Sequence, residues 1–198
     1  MTLLRLTPRG LLAHGRTLPC SLGRGGIRAD KREGDGATPA GLVAITGMLY
    51  RPDRIDARKL PRWASPIGPR DLWCDASGHR DYNQPVRAPF AASHERLHRA
   101  DPLYDLVLTT DWNWPEADPG KGSAIFLHRW RRPGYPTEGC LAFAPEDLHW
   151  LALRVDPGTQ ILIPSLCGKY PRGKAAGRGG RQPPARRGPS MGPSRANP

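Results

Sequence analysis

Apolar residues come in short runs bounded by Gly or Pro: 42–50, 103–109, 124–127 and Gln160–Ile163. Runs of this length, rich in β-branched and aromatic residues and fenced by turn formers, predict buried strands. Near the start, 2–6 and 11–13 flank Pro8-Arg9-Gly10 and predict a strand–turn–strand opening. One segment has helical spacing. Leu148, Leu151, Ala152 and Val155 form a stripe, Pro145 suits the first turn, Glu146 and Asp147 complement the N-terminal dipole, and Asp156-Pro157-Gly158 ends it. Segment 52–100, dense in Pro, Arg and Trp, has little periodicity and predicts loops and short helices walling a cleft. The pattern as a whole gives a mainly β fold with few helices, a sandwich or barrel-like sheet.

Composition divides the chain. Residues 165–198 contain eight Lys or Arg, no Asp or Glu, and thirteen Gly or Pro. That segment cannot bury enough apolar surface to offset its ordering entropy, so 1–164 is expected to be one catalytic-sized domain and 165–198 a disordered basic tail. Of the net +12, the tail supplies eight, leaving +4 for the domain. The tail's charge suits a solvated segment or contact with a polyanionic surface; no pattern of a specific nucleic-acid reader accompanies it. No run reaches the ~20 apolar residues of a membrane-spanning helix. Arg5, Pro8, Arg9 and His14 interrupt any secretory apolar core, so either a cytoplasmic protein or an upstream start is expected.

The four cysteines, at 20, 74, 140 and 167, show no paired spacing. A zinc ribbon is thereby disfavoured, and a Cys20–Cys74 disulfide is allowed by the count without support from the spacing. Cys20 and Cys74 read as small apolar residues. Ser93-His94-Glu95-Arg96-Leu97-His98 reads as a short surface helix capped by Ser93; two imidazoles at i, i+4 without a third ligand make a poor metal site. No metal or cofactor is expected. The glycine-rich segment 23–36 lacks the spacing of a phosphate loop and reads as tight turns.

Cys140 stands apart. It follows Thr137-Glu138-Gly139, and His128 lies twelve positions upstream at the end of an apolar stretch, 122–128. A thiol is a strong nucleophile as the thiolate, which a neighbouring imidazole can generate. Gly139 lets the backbone pass close to a substrate carbonyl, where amides around Cys140 could face an oxyanion. The composition of this segment points to acyl transfer through a thioester, with His128 either a neutral general base or the cationic half of an ion pair.

This arrangement resembles the active-site signature of the L,D-transpeptidase catalytic domain, the YkuD-type family that remodels peptidoglycan: a strand-end His, a variable loop, then Ser/Thr-x-Gly-Cys and an apolar residue. His128, Thr137, Gly139, Cys140 and Leu141 meet it. The glycine-rich 22–41, the segments 104–108 and 111–113, and the closing 147–148 and 158–163 resemble the family in order. The chain departs from it at Glu138, where many members carry His, at Ala142, where many carry Arg, and at Arg129, where many carry Gly. The resemblance implies a β-rich catalytic fold and attack by Cys140 on the bond before D-alanine of a tetrapeptide stem. Thr137 could hold the loop, hydrogen-bond His128 or contact the substrate, or be a simple turn residue; Arg129, Arg131 and Arg132 flank the cleft, where they could meet stem carboxylates or stand solvated. Three readings follow: a transpeptidase with an amine acceptor, an L,D-carboxypeptidase with water as acceptor, or a non-catalytic wall-binding protein. The family places such enzymes in the cell envelope, whereas the N-terminal sequence suits the cytoplasm. A rate limb between roughly pH 5 and 8 is expected from an ordinary imidazole.

Deletion of 165–198 should leave both the melting temperature and turnover of soluble muropeptides unchanged, while weakening salt-sensitive adhesion to polyanionic surfaces. Thermal unfolding and a retention assay at two salt concentrations check this. A fall of many degrees would show that the tail packs on the domain.

Overall fold

A computed structural model describes residues 3–165. The predicted tail lies outside the described residues, as does Cys167. The chain opens with β1 (Leu3–Thr7), β2 (Gly10–Ala13), β3 (Arg16–Leu18) and β4 (Cys20–Ser21). A loop follows with the short parallel pair β5 (Ile27–Arg28) and β6 (Thr38–Pro39), then the ten-residue β7 (Gly41–Tyr50) and β8 (Ala64–Pro66). Next come β9 (Asp71–Cys74), β10 (Pro85–Arg87) and β11 (His94–Arg96), and then β12 (Leu106–Thr110), β13 (Phe126–Arg129) and β14 (Leu141–Phe143). Helix α1 (Pro145–Ala152) and β15 (Gln160–Ile163) close the described part.

The main sheet runs β3-β2-β1-β15-β7-β12-β13-β14-β4, with β8 added along β7. Its two end strands, β3 and β4, are separated in sequence by Pro19 alone. The sheet must therefore curl until its ends nearly meet, giving the mainly β, barrel-like architecture expected. Strand alternation fills the interior: Leu4 and Leu6 of β1 point in, while Leu3 and Arg5 point out. Leu108, Leu127, Leu141 and Phe143 share this core with Leu148, Leu151 and Ala152 of α1. The helix ends earlier than its apolar stripe, at Ala152, with the Leu153 amide bonded back to the His149 carbonyl.

Strands β12 to β14 are buried on both faces, which explains why their sequences read as continuous apolar runs rather than alternations. On the face away from the main core, Val107, Phe126 and Cys140 pack with Ile67, Trp73, Leu97 and Tyr104. That second core is roofed by a separate sheet in the order β10-β9-β11.

Four sequence expectations need correction. Segment 93–98 is not a helix: His94–Arg96 is a strand, with His94 opposite Cys74 and Glu95 opposite Trp73. Cross-strand pairing with the apolar β9 outweighs the local capping signal there. The span 52–100 accordingly holds this sheet besides the short 3-10 turn Ala57–Lys59. The apolar stretch before His128 becomes a strand only at Phe126, because Gly122 and Ala124 take positive φ (+103° and +51°). The run beginning at Leu103 starts as a 3-10 turn, Pro102–Tyr104, capped by the Asp101 side chain. Cys20 and Cys74, in contrast, are free thiols, in keeping with their reading as small apolar residues rather than a disulfide.

Leu127→Ala should cost about 2–5 kcal/mol, since this fully buried side chain lies between α1 and the sheet. Leu3→Ala, 56% exposed, should stay within about 0.5 kcal/mol. Denaturant unfolding of the two variants measures the contrast.

Candidate active site

The site is built by one parallel strand pair. β13 and β14 align Leu127 with Leu141 and His128 with Ala142. Side chains alternate, so Leu127, Leu141 and Phe143 enter the main core, and Phe126, His128, Cys140 and Ala142 share the opposite face. His128 and Cys140, with Ala142, line a cavity of about 330 Å³. The sequence thus brings the imidazole and thiol to one wall without their being neighbours in the chain.

The turn before Cys140 is tightly constrained. Gly139 has φ +141°, and a Cβ there would sit 2.8 Å from the Ala37 carbonyl oxygen and 3.1 Å from Ile125 Cδ1. Only glycine fits. The Thr137 hydroxyl donates to the Cys140 carbonyl at 2.6 Å and accepts the Gly139 amide at 3.2 Å. Thr137 also bridges its backbone to Leu22 and Arg24, which ties the loop to the N-terminal glycine-rich segment. Thr137 lines the cavity, but its hydroxyl is engaged in holding the loop rather than His128.

The Cys140 thiol donates to the Ala124 carbonyl at 3.1 Å and accepts the Phe126 amide at 3.4 Å. Ala124 takes a left-handed conformation that a residue with a Cβ adopts reluctantly, and its carbonyl is the thiol's acceptor. Burial pushes the Cys140 thiol up to about 12, opposed by the Phe126 hydrogen bond. The half-buried Cys20 thiol rises likewise, so what sets Cys140 apart is the cavity at its side.

His128 is buried, and burial drives its imidazole down to about 4. Its Nδ1 lies 2.7 Å from the Arg129 carbonyl oxygen, which can only accept. Nδ1 therefore carries the hydrogen, and Nε2 is left as the lone-pair nitrogen of a neutral base. The resting pair is a neutral thiol and a neutral imidazole, not a preformed ion pair.

The Arg residues separate. Arg131 lines the cavity, and its guanidinium lies 5.4 Å from the Tyr135 ring centroid; Arg132 lies over the same ring at 5.0 Å. Arg129 contributes its carbonyl to His128 and follows it in the strand, so its side chain takes the other face. Glu138 reaches the cavity rim and pairs with Arg24 at 2.9 Å.

Other cavity residues had no local signal. Arg99 grips Asp101 through Nε and a terminal nitrogen, both at 2.8 Å, and stands 3.7 Å from Glu95. Burial raises the Glu95 carboxyl, with Asp75 adding to the effect, and Asp75 Oδ1 is buried without a hydrogen bond. Glu33 accepts from Tyr82 and Ser123 at 2.5 and 2.7 Å. Glu33, Asp75, Glu95 and Glu138 thus face the cavity against two cations, Arg99 and Arg131. Among the described residues no group of three or more His, Cys, Asp or Glu is placed to hold a metal ion, and no helix is long and apolar enough to cross a membrane.

A family model for the L,D-transpeptidase catalytic domain, YkuD, matches residues 2–163. No curated protein matches the chain. Among solved structures, an L,D-transpeptidase from Mycobacterium smegmatis is similar at 15% identity and a TM-score of 0.36. That match covers 81% of this chain and 57% of the other, so the chain spans little more than half of that protein's length.

Because His128 resists protonation in the fold but not in the unfolded chain, the unfolded state binds more protons between about pH 6.5 and 4. Stability should fall as pH drops through that window, by up to about 3 kcal/mol. His128→Gln should flatten the slope in denaturant unfolding at stepped pH. For the same reason the acid limb of activity should lie nearer pH 4 than the pH 5–8 of an ordinary imidazole; a rate profile in free substrate checks it.

Proposed function

The chain belongs to the YkuD family of L,D-transpeptidase catalytic domains, and on that premise we propose that it cross-links peptidoglycan stems through a thioester on Cys140. The observation that carries this reading is the shared cavity wall of the Cys140 thiol and the His128 imidazole, whose Nε2 is left as a base.

In the first half-reaction the thiol turns from the Ala124 carbonyl toward the base. His128 Nε2 takes its proton as Sγ attacks the carbonyl preceding D-alanine of a tetrapeptide stem. The S–C bond forms, the C–N bond breaks, and His128 returns the proton to the departing amine. With the thiol near 12 and the imidazole near 4, transfer in the resting site is steeply uphill. The proton therefore moves in concert with attack rather than before it, which suits a site that stays inert until a carbonyl is bound. In the second half-reaction a side-chain amine of another stem attacks the thioester, a C–N bond forms, the C–S bond breaks, and the proton the amine sheds passes through His128 Nε2 to the departing sulfur.

Amine rather than water as acceptor is supported by the cavity's charge. Four carboxylates face it against two guanidinium groups, in a chain of net +12. Such a lining attracts an ammonium group and orients it. Arg131, which lines the cavity, is the cation we assign to a stem carboxylate.

Incubation with a disaccharide-tetrapeptide should release D-alanine and yield a dimer by mass spectrometry; a tripeptide without dimer would assign the L,D-carboxypeptidase reaction instead. A carbapenem should add once to the protein, at Cys140. Cys140→Ala should abolish both reactions, while Cys20→Ser and Cys74→Ser keep them, because loss of a nucleophile costs many orders of magnitude. An adduct that survives in Cys140→Ala would place the nucleophile elsewhere.

A further inference from the structure

One buried side chain fixes the peptide on which the Cys140 thiol rests. Asn83 is 1% exposed, and its carboxamide makes four hydrogen bonds. Oδ1 accepts the Trp73 indole N–H and the Ala124 amide, both at 2.9 Å. Nδ2 donates to the carbonyls of Trp112 and Asn113 at 3.0 and 2.7 Å. Two donors at one end and two acceptors at the other use the full capacity of an amide and decide which atom is the oxygen. Asn83 takes φ +57°, which asparagine tolerates better than most residues, and its own amide is tied to the Cys74 carbonyl at 2.9 Å.

This hub bears on the sulfur from two directions. Within the segment before β13, Asn113 donates to the Gly122 carbonyl at 3.0 Å and Glu33 accepts the Ser123 hydroxyl at 2.7 Å. The Ala124 amide goes to Asn83, and the carbonyl of the same residue, held at φ +51°, receives the Cys140 thiol at 3.1 Å. The second group on the sulfur is the Phe126 amide at 3.4 Å, and the Phe126 ring meets Trp73 edge-on at 5.0 Å. Asn83 therefore grips a residue behind each of the two contacts to Sγ. Released from it, Ala124 would relax toward negative φ and swing its carbonyl off the thiol.

We propose that Asn83 is a positioning residue for Cys140: by holding Ala124 left-handed it aims the carbonyl that fixes the direction of the resting thiol beside the cavity. The effect on turnover rests on the thioester reading above, whereas the effect on the resting thiol does not. A sulfur held in one place starts within reach of a bound carbonyl, and a misplacement of about 1 Å can cost roughly 10²-fold in rate.

The test compares Asn83→Gly, which suits the local φ and removes only the carboxamide, with the double variant Asn83→Gly/Ala124→Gly, in which glycine can hold the left-handed turn unaided. The S–H stretching band of Cys140, identified by its loss in Cys140→Ala, should move to higher frequency in the single variant and return toward the parent position in the double. Carbapenem acylation and kcat for dimer formation should fall about 10–10²-fold in Asn83→Gly, with KM within a few-fold, and the double variant should regain most of that loss. Alkylation by iodoacetamide, which needs no alignment with a carbonyl, should stay within a few-fold of the parent. The melting temperature should drop in both variants, because Trp73 and two carbonyls lose their partner whatever stands at 124. Rescue of band and rate without rescue of melting temperature is a result that a merely structural asparagine would not give. An unmoved band in Asn83→Gly, or losses that Ala124→Gly leaves uncorrected, would overturn the proposal. Should Asn83→Gly not fold, Asn83→Asp keeps an oxygen for the Ala124 amide and should show the parent band at a lowered melting temperature; a shifted band there would overturn the proposal as well. If the band behaves as expected but the parent forms no thioester, the thioester reading falls and the positioning of the thiol stands.

Discussion

Everything at the site depends on the parallel register between β13 and β14. A parallel neighbour cannot be reached by a tight turn, so the chain from Trp130 to Cys140 must travel back along the sheet before it can pair. That return is what carries the Thr137–Gly139 turn to the entrance of β14. A slip of β14 by one residue against β13 would put Leu141 on the face of His128 and send Cys140 to the opposite one. The same register fills the main core with leucines and leaves a thiol and an imidazole on the other side. Core packing and site assembly are therefore one constraint: the apolar residues that hold the strand in place also fix which way the polar ones look.

The glycine at 139 is the local condition for that register. With the Ala37 carbonyl and Ile125 pressed against it, a larger residue would displace either the N-terminal glycine-rich loop or the segment before β13. Thr137 completes the turn by pairing with the carbonyl of the residue whose thiol is aimed into the cavity. Burial then sets the chemistry. The second core around Trp73, Tyr104 and Phe126 helps to bury both members of the pair, and that burial disfavours charge on each.

The β class, the opening hairpin, β7, the helix and the last strand were legible because each follows a local rule: alternation, a stripe, a proline or glycine stop. Cys140 and His128 were legible because their chemistry is unusual enough to mark a short stretch of sequence. Asn83, Arg99, Glu95 and Ala124 were not. Their roles arise from tertiary placement, and an asparagine after Asp-Tyr carries no hint that its carboxamide will meet the backbone of Ala124, 41 positions later. Segment 93–98 was misread for a related reason: the partner that makes it a strand, β9, lies about twenty residues upstream. The ionisation of the pair was illegible as well, since burial, not residue type, decides it.

The hydrogen bond from the Cys140 thiol to the Ala124 carbonyl has a consequence for how the protein ages. Oxidation by peroxides and capping by disulfides both begin with attack by the sulfur anion on the reagent, and a sulfur that stays protonated and buried supplies little of that anion. Sulfenic acid formation and mixed-disulfide capping should therefore be slow at this position, without a dedicated reductase or a resolving cysteine nearby. The contacts that bury the thiol should thereby keep it reduced for as long as the fold itself survives.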